Sequence, residues 1–313
     1  MISIQEIKRR LPQDFIEKLY EEFSPLTIDR MLAGIADTRN TTFRVNLLKY
    51  SLYDWMEIAR QNNLKFERVP WYTEAMVCKN CNEKQLQDLE IYQNGGIYLQ
   101  SLSSMIPPLV LNPKAGEKIL DVAAAPGSKT TQMATLMKNK GEIVANEIDR
   151  IRWERLNYNL DKQGVTICQA INGRGEKLGE QYPQYFDKVL VDVPCSGEGR
   201  FLIQKPKTYR DWSTKKVNQL IKVQKKLVAS AYQALKPGGI LVYSTCTILR
   251  EENEEVVQWA LENLPLQLLP IEHSIREAIP GSTKGLHPSM QYTIKILPDK
   301  KMEGFFVAKM QKR

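Results

Sequence analysis

Histidine is nearly absent from this 313-residue chain, which has only His273 and His287, and cysteine is sparse, at Cys78, Cys81, Cys168, Cys195 and Cys246. The two histidines lack paired spacing, and Cys78-x-x-Cys81 is followed by no second cysteine pair, so a four-ligand zinc site is short of ligands and no metal is expected. An odd cysteine count without an apolar leader after Met1 points to a reducing cytoplasm and a fold that needs no disulfide staples. No apolar run approaches the roughly 20 residues needed to cross a bilayer, which argues against a membrane protein. Neither G-x-G-x-x-G nor G-x-x-x-x-G-K-[ST] occurs, which weakens dinucleotide and triphosphate readings. There is no internal repeat and no low-complexity tract.

What is present is basic charge. Forty-four lysines and arginines against 36 acids leave a net charge of +8, which suits a polyanionic partner such as nucleic acid. The length allows a main domain with a smaller companion. In PQDFIEKLYEEF the apolar residues Phe15, Ile16, Leu19, Tyr20 and Phe23 fall on one helix face, and Pro25 punctuates it. TTFRVNLLKY and FERVPWY read as short strands around a helix over SLYDWMEIARQN, giving a small α/β module. NGGIYLQSLSSMIPPLVLN, with Gly95, Gly96, Pro107 and Pro108, reads as a connecting segment. The expected division is therefore 1–105 and 106–313.

From Lys118 onward, EKILDVA, GEIVANE, FDKVLVDV and GGILVYST alternate with amphipathic helical stretches, the pattern of a mostly parallel, doubly wound α/β sheet. YTIKILP and GFFVAKM read as a final antiparallel hairpin at the sheet edge. After the first of these strands comes DVAAAPGSKTTQMA, where small residues and Gly127 make a tight loop and a helix begins. Such a loop lets backbone approach a ligand closely. Glu147 closes the second strand, where a carboxylate can accept hydrogen bonds from two ribose hydroxyls; Asp149 is a neighbour that could be confused with it. Cys195 in DVPCSG and Cys246 in YSTCTI each follow the carboxyl end of a strand, where open α/β sheets place their ligand crevice. Position alone does not choose between the two thiols.

Taken with FDKVLVDVPCSGEGRF and LKPGGILVYSTCTILREENEEVV, the loop resembles the methyl-donor site of the Nop/Sun family of RNA cytosine-5 methyltransferases. FRVN, GGIYLQSLSSM and KILPDKKMEGFFVA extend the likeness over about 96–308 and into the first hundred residues. The resemblance implies a class I methyltransferase (Rossmann-like) fold with S-adenosylmethionine as donor. The donor would be held by Ala123, Ala124, Ala125, Pro126, Gly127, Ser128 and Lys129, by Glu147, by Asp192 and by Asn172 near the adenine. Two departures are Ala123, where the family often has cysteine, and Asn172, where aspartate is common. The resemblance makes Cys246 the nucleophile on carbon 6 of a cytosine, Cys195 the residue that assists adduct breakdown, and Asp192 a partner of the base edge. It places Arg44 of FRVN on the RNA side; by their charge alone, Lys205, Lys207, Arg210 and the basic N-terminal module offer further phosphate contacts. Ribosomal RNA is preferred to transfer RNA, with the protein acting as a monomer. Rival readings are a DNA cytosine or amino methyltransferase, although VDVPCSG has cysteine where the amino-methylating motif has its second proline, and a noncatalytic RNA-binding assembly factor.

Overall fold

A computed structural model describes residues 2–313. Three helices come first, α1 (Ile4–Arg10), α2 (Gln13–Glu22) and α3 (Pro25–Ala36). Ser24 caps α3 by accepting from the Thr27 N–H, and Pro25 sits at the first helical position, where its missing N–H costs nothing. The apolar face of α2, with Phe15, Ile16 and Leu19, packs on Phe201, Trp212 and Ile248 from far along the chain. A four-stranded antiparallel sheet follows, built from β1 (Thr42–Val45), β2 (Phe66–Val69), β3 (Tyr72–Cys78) and β4 (Ile97–Leu99) in the order β2-β3-β1-β4. Between its strands lie α4 (Leu52–Gln61), which begins with a Ser51–Asp54 capping box, α5 (Glu83–Gln87) and α6 (Glu90–Gln93). FERVPWY is not one strand: Pro70 falls in the turn between β2 and β3.

The stretch expected as a connector is instead β4 followed by a buried helix, α7 (Leu102–Leu111), and residues 105 and 106 are both inside it. Two prolines within a helix delete two backbone donors. One of the carbonyls left over, that of Ser104, accepts from the Gln100 side chain at 3.1 Å. Leu102, Met105, Ile106 and Leu111 are buried against the main sheet, so packing outweighs proline's poor helix propensity.

The main sheet comprises β5 (Lys118–Asp121), β6 (Glu142–Glu147), β7 (Cys168–Asn172), β8 (Phe186–Asp192), β9 (Leu235–Thr245), β10 (Leu266–Leu269), β11 (Ala278–Pro280), β12 (Ile294–Ile296) and β13 (Phe305–Lys312). Its helices are α8 (Ser128–Leu136), α9 (Arg150–Gln163), α10 (Leu178–Gln181), α11 (Thr214–Ala234) and α12 (Glu254–Asn263). The order is β11-β12-β13-β9-β8-β5-β6-β7, with β10 also on β13. Strands β5 to β9 run parallel and β10 to β13 antiparallel. Val189, Leu190 and Val191 of β8 and Leu241, Val242 and Tyr243 of β9 are all fully buried, as strands covered on both faces must be. The β12–β13 hairpin does not end the sheet as expected: β13 lies inside it against β9, and the short β11 forms the edge. Strand order reverses at β5, which has β6 on one side and β8 on the other. That switch point opens a crevice at the carboxyl ends of the strands.

Lys295 on β12 ties this sheet to the first helices. It is 1% exposed and pairs with Glu22 of α2 and, at 3.1 Å, with Glu254 of α12. Lys295→Met is expected to lower unfolding free energy by about 3–5 kcal/mol, because two buried carboxylates lose their only shared cation. Denaturant melts against Lys295→Arg, which keeps the charge, check this; a loss under about 1 kcal/mol contradicts it. No helix among the described residues is long and apolar enough to cross a membrane.

Candidate active site

The crevice holds a cavity of about 800 Å³. On one side lies the small-residue loop. Asp121 closes β5 with its Oδ2 accepting from Thr130 Oγ1 at 2.7 Å, while its Oδ1 is buried without a partner. Burial, with Asp192 adding repulsion, pushes the Asp121 carboxyl up to about 7. Ala123, Ala124, Ala125, Pro126, Ser128 and Lys129 line the cavity. Gly127 caps α8 at φ +103°, a conformation that favours glycine, and a Cβ there would sit 3.0 Å from Leu156 Cδ1.

Glu147 ends β6 and is 2% exposed. Its Oε1 accepts from the Asp149 N–H at 3.0 Å, Arg152 stands 3.4 Å from Oε2, and Oε2 has no hydrogen bond. Asp149 serves as the N-cap of α9, accepting from the Arg152 N–H, so the two acids are distinguished: only Glu147 lines the cavity. Two orphaned carboxylate oxygens, on Asp121 and Glu147, and a loop of small residues fit a donor nucleoside with hydroxyl and amino groups to offer. Asn172 stands outside the cavity lining. Its amide nitrogen donates to the Glu147 and Ile148 carbonyls at 2.7 and 3.1 Å, while Gly175 and Glu176 line the cavity instead.

The opposite side holds the thiols. Strands β8 and β9 are parallel neighbours with Asp192 beside Ser244, so Cys195 and Cys246 lie a few residues beyond the same level of the sheet. Their sulfurs are 3.1 Å apart, and the Cys246 N–H donates to Cys195 Sγ at 3.3 Å. The hydrogen bond to Cys246, burial, and the nearby Cys246, Glu252 and Glu198 hold the Cys195 thiol well above its ordinary range. Either sulfur can donate to the other across this contact.

Asp192 has one partner on each oxygen: Lys129 Nζ donates to one at 2.6 Å and Ser244 Oγ to the other at 2.7 Å, which leaves acceptor capacity on both. Lys129 also donates to Ser104 Oγ at 2.9 Å. Although it belongs to the loop, Lys129 thus reaches the thiol end. Arg200 lines the cavity too, and the thiols Cys246 and Cys195, with Glu303 and Asp192, make its guanidinium hold its proton more tightly. Ser104, Ser244 and Arg200 were not singled out as site residues by sequence. Ser104 stands in GGIYLQSLSSM, which carries part of the family likeness, and Ser244 lies two residues before Cys246 in YSTCTI.

Three expectations need correction. Arg44 does not face solvent: it is fully buried on the middle of the four-stranded sheet, donating to Gln100 Oε1 at 2.9 Å, Thr131 Oγ1 at 2.6 Å and the Ser128 carbonyl at 3.3 Å. It clamps β1 to α8 and so braces the loop rather than meeting RNA. Cys78 and Cys81 are paired as a disulfide, with Cα atoms 5.8 Å apart across the end of β3, where free thiols were expected. Asn172 bridges β6 and β7 instead of lining the cavity. Lys205 is exposed and, with Arg39, Lys162 and Lys301, lines a second cavity of about 580 Å³ that shares Tyr98 to Ser101 and Glu303 with the first.

The family model of the 16S rRNA methyltransferase RsmB/F matches residues 108–311. Ribosomal RNA small subunit methyltransferase F of Escherichia coli O7:K1 (strain IAI39 / ExPEC) is 36% identical over 310 residues, which is 96% of this chain and 63% of the relative. The chain thus spans under two thirds of that relative's length. A methyltransferase homolog protein from Pyrococcus horikoshii is 33% identical with a TM-score of 0.79, covering 97% of this chain and 100% of that one. NSun6 from Pyrococcus horikoshii, solved with SFG, is 23% identical with a TM-score of 0.77, covering 99% and 97%, and shares the fold. The doubly wound sheet is that of a class I methyltransferase.

Proposed function

The chain belongs to the RsmB/F family of 16S rRNA methyltransferases, and from that premise we propose that it methylates carbon 5 of a cytosine in small-subunit ribosomal RNA, with S-adenosylmethionine as donor. The observation that carries this reading is the pair of thiols 3.1 Å apart at the tips of two adjacent parallel strands, opening on the same cavity as the small-residue loop. Cytosine carbon 5 is too weak a nucleophile in the neutral ring. Addition of the Cys246 sulfur to carbon 6 shifts the π electrons and makes carbon 5 reactive. Bound S-adenosylmethionine would supply the electrophilic methyl group that carbon 5 receives. Loss of the carbon 5 proton to solvent water, with departure of the Cys246 sulfur carrying the electron pair of its bond to carbon 6, then restores the ring.

Each remaining residue has a role that its bonds support. Glu147 offers its free Oε2 to ribose hydroxyls, and residues 123–128 offer close backbone approach. Asp192 accepts from the exocyclic amino group of the base, and the Lys129 ammonium beside it offsets negative charge gained by the ring. Cys195 keeps its proton and stabilises the Cys246 sulfur as a thiolate, both before addition and on departure. Lys205 and the other cations of the second cavity suit the phosphates of a strand whose target base is turned into the first.

Incubation with methyl-labelled donor and, separately, naked 16S rRNA, small ribosomal subunits and transfer RNA tests the assignment. Label is expected in 5-methylcytidine from small-subunit RNA. Label only in transfer RNA transfers the reading to that substrate. Label in adenosine or on an amino nitrogen overturns it, and donor binding without label in any RNA favours a noncatalytic assembly factor.

A further inference from the structure

Behind the thiols lies a second polar cluster that the proposed chemistry does not use. Glu198, in the turn after Cys195, and Glu252, in the turn before α12, are both fully buried. The Ser196 N–H donates to both oxygens of Glu252, at 3.2 and 3.3 Å. Ser196 Oγ lies 2.5 Å from Glu198 Oε1 and also contacts Glu252 Oε2. Trp212 Nε1 donates to Glu198 Oε1 at 2.5 Å, and Gln224 Nε2 donates to Glu252 Oε1 at 2.7 Å and to the Pro194 carbonyl at 3.1 Å. Every donor in this set is neutral. The neighbouring acids Glu251, Glu254 and Glu255 pair with Lys18, Lys295 and Arg250, but among the described residues neither Glu198 nor Glu252 has a cation.

A hydroxyl has one hydrogen, yet Ser196 Oγ sits in hydrogen-bond contact with an oxygen of each carboxyl. If both were ionised, one contact would set an oxygen lone pair against a carboxylate with nothing between them. We propose that Glu198 and Glu252 share one proton through Ser196, and that this proton fixes the Pro194–Glu198 loop and limits negative charge behind Cys195 and Cys246. The pair are positioning residues, not catalytic ones: they act through the loop and through their charge. The functional part of the proposal rests on Cys246 as nucleophile.

A retained proton agrees with burial, which with repulsion from Glu252 pushes Glu198 up to about 7 and, with repulsion from Glu251, pushes Glu252 upward. The titratable and charged groups around the pair are Cys195 and Cys246, Tyr243 on β9, Glu251 on the adjoining turn, and Arg200 and Asp192 across the thiols. Tyr243 and Cys195 are held well above their ordinary values and stay neutral, and Glu251 is paired with Lys18. The sign follows. As pH rises past about 7 the shared proton leaves, a second negative charge appears behind the thiols, and ionising a thiol becomes harder.

The test reads the thiols directly, without RNA or donor, so its failure is separate from failure of the methylation reading. The rate of Cys246 alkylation by iodoacetamide is followed against pH by peptide mapping. In Glu198→Gln and Glu252→Gln one acid is fixed neutral and the second charge cannot form. The alkylation profile of each is expected to move to lower pH by roughly half to one unit. Profiles superimposable on the parent overturn the proposal, since a purely structural role would leave the pH dependence in place. Should either variant fail to fold, a carbon-13 titration of glutamate carboxyls in the parent decides: at least one carboxyl besides Glu22, which burial pushes up to about 7 despite Lys295, must keep its proton above pH 6, and its absence overturns the proposal.

Discussion

Cys246→Ala is expected to abolish methyl transfer while leaving donor binding unchanged. Carbon 5 would have to take a methyl group with no adduct at carbon 6 to raise its electron density, and the expected loss is at least about 10³-fold in turnover. The substitution removes one sulfur from a cavity of about 800 Å³. It leaves untouched the groups assigned to the donor, since Glu147 lies at the end of β6, on the other side of β5 from the thiols. Tritiated methyl incorporation measures the first effect and calorimetric titration with donor the second. More than about a tenth of parent activity in the variant would remove Cys246 from the chemistry.

How far this site is legible in the sequence depends on which physical signal each residue carries. Strands covered on both faces read as unbroken apolar runs, so FDKVLVDV and GGILVYST betray β8 and β9, and the residues just past them follow from the rule that ligands sit at carboxyl ends. That is enough to find Cys195 and Cys246, but not their 3.1 Å separation, which comes from the register Asp192 to Ser244. Helix α7 is hidden because Pro107 and Pro108 read as punctuation, and only the Gln100 side chain, reaching an emptied carbonyl, explains one of the deleted bonds. Arg44 misleads for a related reason. An arginine on a short strand reads as surface charge, yet its guanidinium is buried between β1 and α8, where side-chain and backbone oxygens replace water. The carboxyl pair Glu198 and Glu252 is separated by 53 intervening residues in sequence. No local pattern announces that two acids so far apart meet over one serine.

Cys195→Ala should give the opposite phenotype from Cys246→Ala: an adduct that forms and does not leave. In the proposed reading Cys195 keeps its proton and presents it to Cys246 Sγ, 3.1 Å away, so in the parent the departing sulfur would be received by a hydrogen bond between the two thiols. Without that donor, the Cys246 thiolate is a poorer leaving group and a harder species to hold. Addition feels this as well, but transfer of the methyl group makes the first half of the reaction effectively one-way, whereas release of the product has no such pull. The expected result is a first turnover that survives, a multiple-turnover rate reduced by about 10²-fold or more, and a protein–RNA band stable in SDS and removed by ribonuclease. The double variant Cys195→Ala/Cys246→Ala should show no band, because the proposal assigns the bond to Cys246. A band that persists in the double variant, or appears in Cys246→Ala alone, would exchange the roles of the two thiols. Parent-like turnover in Cys195→Ala would mean that the hydrogen bond between the sulfurs does not assist departure.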